Sequence, residues 1–311
     1  MVLDVNGIPF TYISVQTAGA EADLRSKYDV IIFAPVGRAN AQTIINGSPK
    51  YGNPLPWMKT DATPNLVIDS TSDQRGGLGY DGLAHLQSFI EKGGLLITSE
   101  DTAQFAVEMG LAPGVSVAPR GDTRVVGSVL DTVFVTQTNP VAYGFGKSLP
   151  VFSSDGMAFN VSNTVGGGGG GRGGAGGGDA ARPTGRGGTD DPDVVQGRTS
   201  VDPVETPRSR PWEARPLNEE QMRNNASIIP ADQRPEVILR FTDARGLLLS
   251  GLLDKGMGIA EHAIVVDAHL GQGNVLLFAN YPIYRGETIG SYPLVFNAIM
   301  NYQNLNTTKQ K

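Results

Sequence analysis

Residues 262–302 read HAIVVDAHLGQGNVLLFANYPIYRGETIGSYPLVFNAIMNY, and the fold turns on this stretch. Two apolar, β-branched runs, around Val265 and at Leu276-Leu277-Phe278, flank the turn Gly271-Gln272-Gly273. That pattern predicts strand, tight turn, strand, followed by a loop and a helix ending near Tyr302. The segment Tyr281 to Thr288 then sets Arg285 and Glu287 just past the carboxyl end of a strand. In open α/β sheets ligands bind along that edge.

Working outward, Asp29 to Ala34 and Leu95 to Thr98 are short continuous apolar runs of the kind that form buried strands. Leu83, Leu86, Phe89 and Ile90 repeat at helical spacing between Tyr80 and Lys92, and Gly93-Gly94 stops that helix. Thr102 to Met109 predicts another helix, with Ser99 or Asp101 as its N-cap. Val115 to Val135 and Leu149 to Val161 supply further short strands. Near the amino end, Val2 to Asn6 reads as a helix tail stopped by Gly7, and Phe10 to Val15 as a strand. Pro35 to Arg75 reads as a long loop.

Strands alternating with helices predict an α/β domain over residues 1–164, interrupted and then resumed over 226–304. The interruption is compositional. Gly166 to Gly178 is almost all glycine, and the chain to Asn225 is Gly, Pro, Arg and Asp with few apolar residues. Such a segment cannot offset its ordering entropy by burial, so residues 165–225 are expected to be a disordered insertion. Its Arg-Gly-Gly triplets are balanced by acids such as Asp190, Asp191 and Asp193, which favours a spacer over an RNA-binding segment. Residues 305–311 read as a tail. A doubly wound sheet opens on a strand, which here would precede Met1. Two readings follow: a short irregular start, or a chain that is the downstream piece of a longer protein.

The 311 residues carry a net charge of -6, which argues against a general nucleic-acid binder. No apolar run is long enough to span a bilayer. With no cysteine there is no disulfide, thiolate ligand or cysteine nucleophile. The three histidines, His85, His262 and His269, stand in no zinc-binding spacing; His269 and Asp267 share a strand face, but two ligands fall short of the usual three or four. Ser99 follows a buried strand and precedes a helix, the position of a hydrolase or amidotransferase nucleophile, although the flanking glycines are missing. Glu100, Asp101, Arg38 and Arg285 all follow strands and are candidates to meet at the carboxyl edge. Arg285 is suited to a ligand carboxylate or to a salt bridge with Glu287.

Several stretches resemble a domain at the carboxyl end of bacterial zinc carboxypeptidases of the carboxypeptidase A-like family. They are Leu66 to Asp69, Arg75 to Leu83, Phe89 to Thr98, and Gly271 to Phe278 continuing through Arg285 to Tyr292 and on to Ala298. The resemblance implies a class I glutamine amidotransferase-like fold, a flavodoxin-like three-layer sandwich. It also implies an upstream peptidase domain as partner, zinc only in that domain, and export of the parent protein. Amidotransferases carry a cysteine at the strand-to-helix elbow; Ser99 or Glu100 stands there in this chain, and the His-x-Glu partner has no match. The carboxypeptidase signature is also absent. The resemblance therefore implies a non-catalytic accessory domain that packs against or regulates the peptidase, or binds a small ligand at the sheet edge near Ser99, Glu100 and Arg285. The alternatives are a Ser99-dependent hydrolase or amidase and a carbohydrate-binding or assembly module.

Overall fold

A computed structural model describes residues 2–37, 39–58, 70–165, 212, 223, 228–286 and 288–305. Arg38, Glu287, the segment Leu66 to Asp69, nearly all of the glycine-rich insertion and residues 306–311 lie outside the described residues. The helices are α1 (Val2–Val5), α2 (Val15–Ala20), α3 (Ala41–Asn46), α4 (Gly79–Glu91), α5 (Asp101–Glu108) and α6 (Tyr292–Met300). The first eight strands are β1 (Val30–Phe33), β2 (Leu95–Ser99), β3 (Val115–Val117), β4 (Arg124–Val125), β5 (Ser128–Leu130), β6 (Thr132–Phe134), β7 (Val151–Ser153) and β8 (Phe159–Val161). The rest are β9 (Glu236–Phe241), β10 (Leu248–Ser250), β11 (Leu253–Asp254), β12 (Ala263–Leu270) and β13 (Gly273–Phe278).

The molecule is a mixed α/β protein built on an open, mixed eight-stranded sheet in the order β1-β2-β13-β12-β8-β3. β9 also pairs with β12 and carries β6. β1, β2 and β13 run parallel; the pairings of β12, β8, β9, β3 and β6 are antiparallel. Strands from before and after the insertion thus share one sheet, with β13 seated between β2 and β12. Every residue of β2 and β13 is buried, so both faces of the sheet centre are covered, which is why these runs are apolar throughout rather than alternating. A three-stranded sheet, β10-β5-β7, and a ribbon, β11-β4, lie apart from this sheet.

The hairpin tip meets the end of α4 backbone to backbone. Gly271 has φ 63, a conformation that costs other residues about 1–2 kcal/mol. The Gln272 amide donates to the Glu91 carbonyl at the end of α4 (3.0 Å), and the Asn274 amide to the Gly94 carbonyl (3.2 Å). A Cβ on Gly273 would stand 2.2 Å from the Ile90 carbonyl oxygen and 2.3 Å from that of Gly94. Glycine here is a condition of docking.

Some sequence expectations change. Phe10 to Val15 forms no strand. Phe10 and Tyr12 are exposed, and Ser14 caps α2 by accepting the Thr17 amide (3.1 Å), a local bond that an unpaired strand cannot match. The long loop after β1 contains α3, capped by Asn40. The carboxyl-terminal part holds β9, β10 and β11 besides the hairpin and helix. Leu305, assigned to the tail, is fully buried in the core. Among the described residues no helix is long and apolar enough to cross a membrane.

Gly273→Ala should lower stability by more than about 2 kcal/mol, because both clashing atoms are backbone oxygens. The measurement is the urea midpoint at unchanged slope; an unshifted midpoint would contradict the close approach described above.

Candidate functional site

β2 delivers the chain to the carboxyl edge at Ser99, and α5 starts at Asp101, leaving one residue to make the turn. That residue, Glu100, has φ 50 and ψ -117. For a non-glycine residue this backbone costs about 1–3 kcal/mol and persists only where the surroundings enforce it. They do so here. The Glu100 amide donates to the Phe278 carbonyl of β13 (2.9 Å). The Thr102 hydroxyl accepts the Ser99 amide (3.1 Å) and lies 2.7 Å from the Phe33 carbonyl and 2.9 Å from that of Ser99. The Asp101 carboxylate accepts the amides of Val36 (3.1 Å) and Ala39 (3.0 Å), pinning the loop after β1 to the start of α5.

Of the residues singled out from sequence, then, Glu100 occupies the apex of the elbow. Ser99 is buried behind it at 9% exposure. Neither Ser99 nor Asp101 caps α5 with its side chain. Asp101 is committed to the β1 loop. Arg38 belongs to that loop but lies outside the described residues. Arg285 reaches the same edge, exposed and at φ 45, with its guanidinium 5.4 Å from the centre of the Tyr284 ring.

Residues not singled out from sequence complete the site. The Ser154 hydroxyl, just beyond β7, donates to the Glu100 carboxylate (2.7 Å), and the Tyr281 hydroxyl is its second partner. Tyr281 packs against Tyr284 (5.3 Å between ring centres), which stacks on Phe152 of β7 (4.6 Å, 11°). All five side chains are half-buried. Burial pushes the Glu100 carboxyl up to about 7; the Asp155 and Asp101 charges act in the same direction, and the Ser154 and Tyr281 hydrogen bonds oppose it. Burial, reinforced by the Glu100 charge, pushes Tyr281 up to about 12. Asp155 is itself paired with Arg120 (2.9 Å). A cue to Ser154 does exist in the sequence: the polar Ser-Ser-Asp run that closes an apolar strand.

No family model matches this chain. No curated protein matches it either. Among solved structures it is similar to a cytoplasmic protein from Salmonella typhimurium at 10% identity and a TM-score of 0.43, covering 96% of this chain and 83% of that one. A second such protein, from Salmonella typhimurium LT2, is also 10% identical with a TM-score of 0.35, over 95% of this chain and 76% of that one.

His262 precedes β12 and so lies at the same sheet edge as the elbow, since Val265 pairs with Phe278 and Phe278 with Ser99, but no histidine is among the hydrogen-bond partners of Ser99 or Glu100 found among the described residues. His85 Nδ1 is 3.3 Å from the Ala18 carbonyl, and His262 Nδ1 is 3.0 Å from that of Ala260. Asp267 and His269 do share a face, bridged by the Asn274 amide, 2.7 Å from Asp267 and 3.2 Å from His269 Nδ1. Asn139 links this network to Glu236 (2.7 Å). It lies at the opposite edge, since Asn274 pairs with Leu95, the first residue of β2. Among the described residues no group of three potential metal ligands forms. A cleft of about 520 Å³ is lined by Ser14, Gln16, Trp57, Thr71 and Gln74 among others; it includes no elbow residue and no ionisable side chain.

Glu100 is raised from 4.5 to about 7 on folding. Its stabilising contribution is therefore complete below about pH 4.5 and is lost as pH climbs through 7. Relative to Glu100→Gln, the natural protein should lose about 1–2 kcal/mol between pH 4.5 and 8, allowing for partial exposure. Urea titrations at the two pH values check this; parallel stabilities would contradict it.

Proposed function

We propose that this chain is a class I glutamine amidotransferase-like, flavodoxin-like domain whose elbow binds a small ligand without attacking it. The observation that carries the reading is Glu100 at the elbow, in the strained backbone conformation expected of a nucleophile. Amidotransferases present a thiolate at that point. A carboxylate attacking an amide would have to form an acid anhydride, a less stable acyl species than the amide it replaced. The neighbours of Glu100 are hydroxyls, from Ser154 and Tyr281, rather than an imidazole base. Nothing in that set generates a nucleophile, whereas a half-open crevice with convergent polar groups and aromatic walls suits a ligand.

The wider setting is proposed on the motif resemblance alone. The domain would be the accessory, carboxyl-terminal part of an exported zinc carboxypeptidase-type protein. It would pack on an upstream peptidase domain that holds the zinc. Neither nucleic acid nor membrane is a partner in this reading.

The competing reading makes Ser99 a hydrolase nucleophile. Its burial, and the bonds that the nitrogens of His85, His262 and His269 make to Ala18, Ala260 and Asn274, favour the binding role. Treating the folded chain with a fluorophosphonate probe should leave Ser99 unlabelled by mass spectrometry, and glutamine should not be hydrolysed. Stoichiometric labelling of Ser99, or glutaminase turnover lost in Ser99→Ala, would overturn the proposal.

A further inference from the structure

We infer that the elbow crevice is a subsite for a neutral, hydroxyl-rich ligand of the saccharide class, read by Glu100, Ser154 and Tyr281 beside the Tyr284–Phe152 stack. This rests on the ligand-binding reading above and gives it a chemistry. Three oxygen-bearing side chains from three separate segments converge at one point: the β2–α5 turn, the end of β7 and the loop after β13. The Ser154 hydroxyl donates to Glu100 (2.7 Å) and Tyr281 adjoins the same carboxyl, so the Ser154 oxygen keeps lone pairs to accept from a ligand. Such an acceptor-rich set matches a ligand that carries several hydroxyl donors. Phe152 stacks on Tyr284 and the Arg285 guanidinium lies over that ring, so the half-buried Tyr281 and the edges of the stack are what remain to meet the C–H groups of a sugar ring.

Next to Tyr281 in the chain, Asn280 is a buried polar residue that follows β13. It is 1% exposed, and neither its amide oxygen nor its amide nitrogen has a hydrogen-bond partner among the described residues. A buried amide left in that state is costly. The charge pattern disfavours the other ligand classes. Asp101, Asp155 and Glu100 crowd the site against anions. The Arg285 guanidinium already lies over the Tyr284 ring, where an ammonium ligand would seek its cation–π contact. The near-neutral titration of Glu100 adds a carboxyl that still bears a proton at mildly acid pH, able to donate to a sugar oxygen as well as accept.

The test is calorimetric titration of the full chain at pH 6. The probes are glucose, galactose, mannose, N-acetylglucosamine, maltose and cellobiose, with choline as cationic control and acetate as anionic control. Saturable binding of at least one saccharide is expected. Tyr281→Phe and Ser154→Ala should each weaken it at least fivefold, and Glu100→Ala at least tenfold, with unchanged circular dichroism. Saccharide binding untouched by all three substitutions would overturn the inference. So would binding of choline or acetate alone in a manner abolished by Glu100→Ala, an outcome that leaves a ligand-binding elbow in place. Silence from every probe would overturn the saccharide assignment; labelling of Ser99 in the separate fluorophosphonate experiment would remove the binding reading itself.

Discussion

The site depends on a contact far from it, the docking of the β12–β13 hairpin tip against the end of α4. Two glycines allow backbone to meet backbone there, and the bonds from Gln272 to Glu91 and from Asn274 to Gly94 fix the depth of insertion. That depth sets the register of β13 on β2, from Asn274 opposite Leu95 to Phe278 opposite Ser99. A slip of one residue would turn every β13 side chain to the other face. It would also withdraw the Phe278 carbonyl from the Glu100 amide, and with it one of the bonds that hold the elbow in its strained form.

The two edges of the sheet are built on different principles. At the amino edge of β2, Asp267, His269, Asn274, Asn139 and Glu236 form a buried polar network of mutual hydrogen bonds. Such a network rigidifies the packing and specifies register, since any other pairing would leave buried polar atoms unmatched. At the carboxyl edge the groups are half-exposed, and one backbone angle, at Glu100, is held against its local preference. Strain, a displaced titration and an unmatched amide at Asn280 coincide within a few residues. Departures from local consistency of this kind gather at functional sites, where the rest of the fold compensates for them.

Much of this architecture is legible in the chain. β1, β2 and the β12–β13 hairpin show as apolar runs bounded by glycine, and α4 as a helical repeat stopped by Gly93-Gly94. Their periods are strong because both faces of the sheet are covered. The weak points are short elements decided by context. Phe10 to Val15 has strand composition but no strand beside it, and the Ser14 cap wins locally. β9 shows little of its own position, because its partners β12 and β6 lie on opposite sides of a long insertion. At the site, Glu100 and Arg285 were visible as polar residues following strands. Asp101 carried the same signal, yet it serves the loop at Val36 and Ala39. Ser154 and Tyr281 could not be ranked, since one hydroxyl near a strand end looks like any other.

The sequence by itself determined the layered α/β character, the glycine turn, the compositional break and the absence of a thiol from the elbow. These follow from periodicity and from which side chains exist at all. The tertiary structure alone decided that Glu100 rather than Ser99 stands at the apex, and that Ser154, Tyr281, Tyr284 and Phe152 surround it. The reason is physical: one-dimensional spacing encodes which face a side chain takes within its own element. The distance between side chains of different elements is set only when hairpin, helix and sheet close on one another.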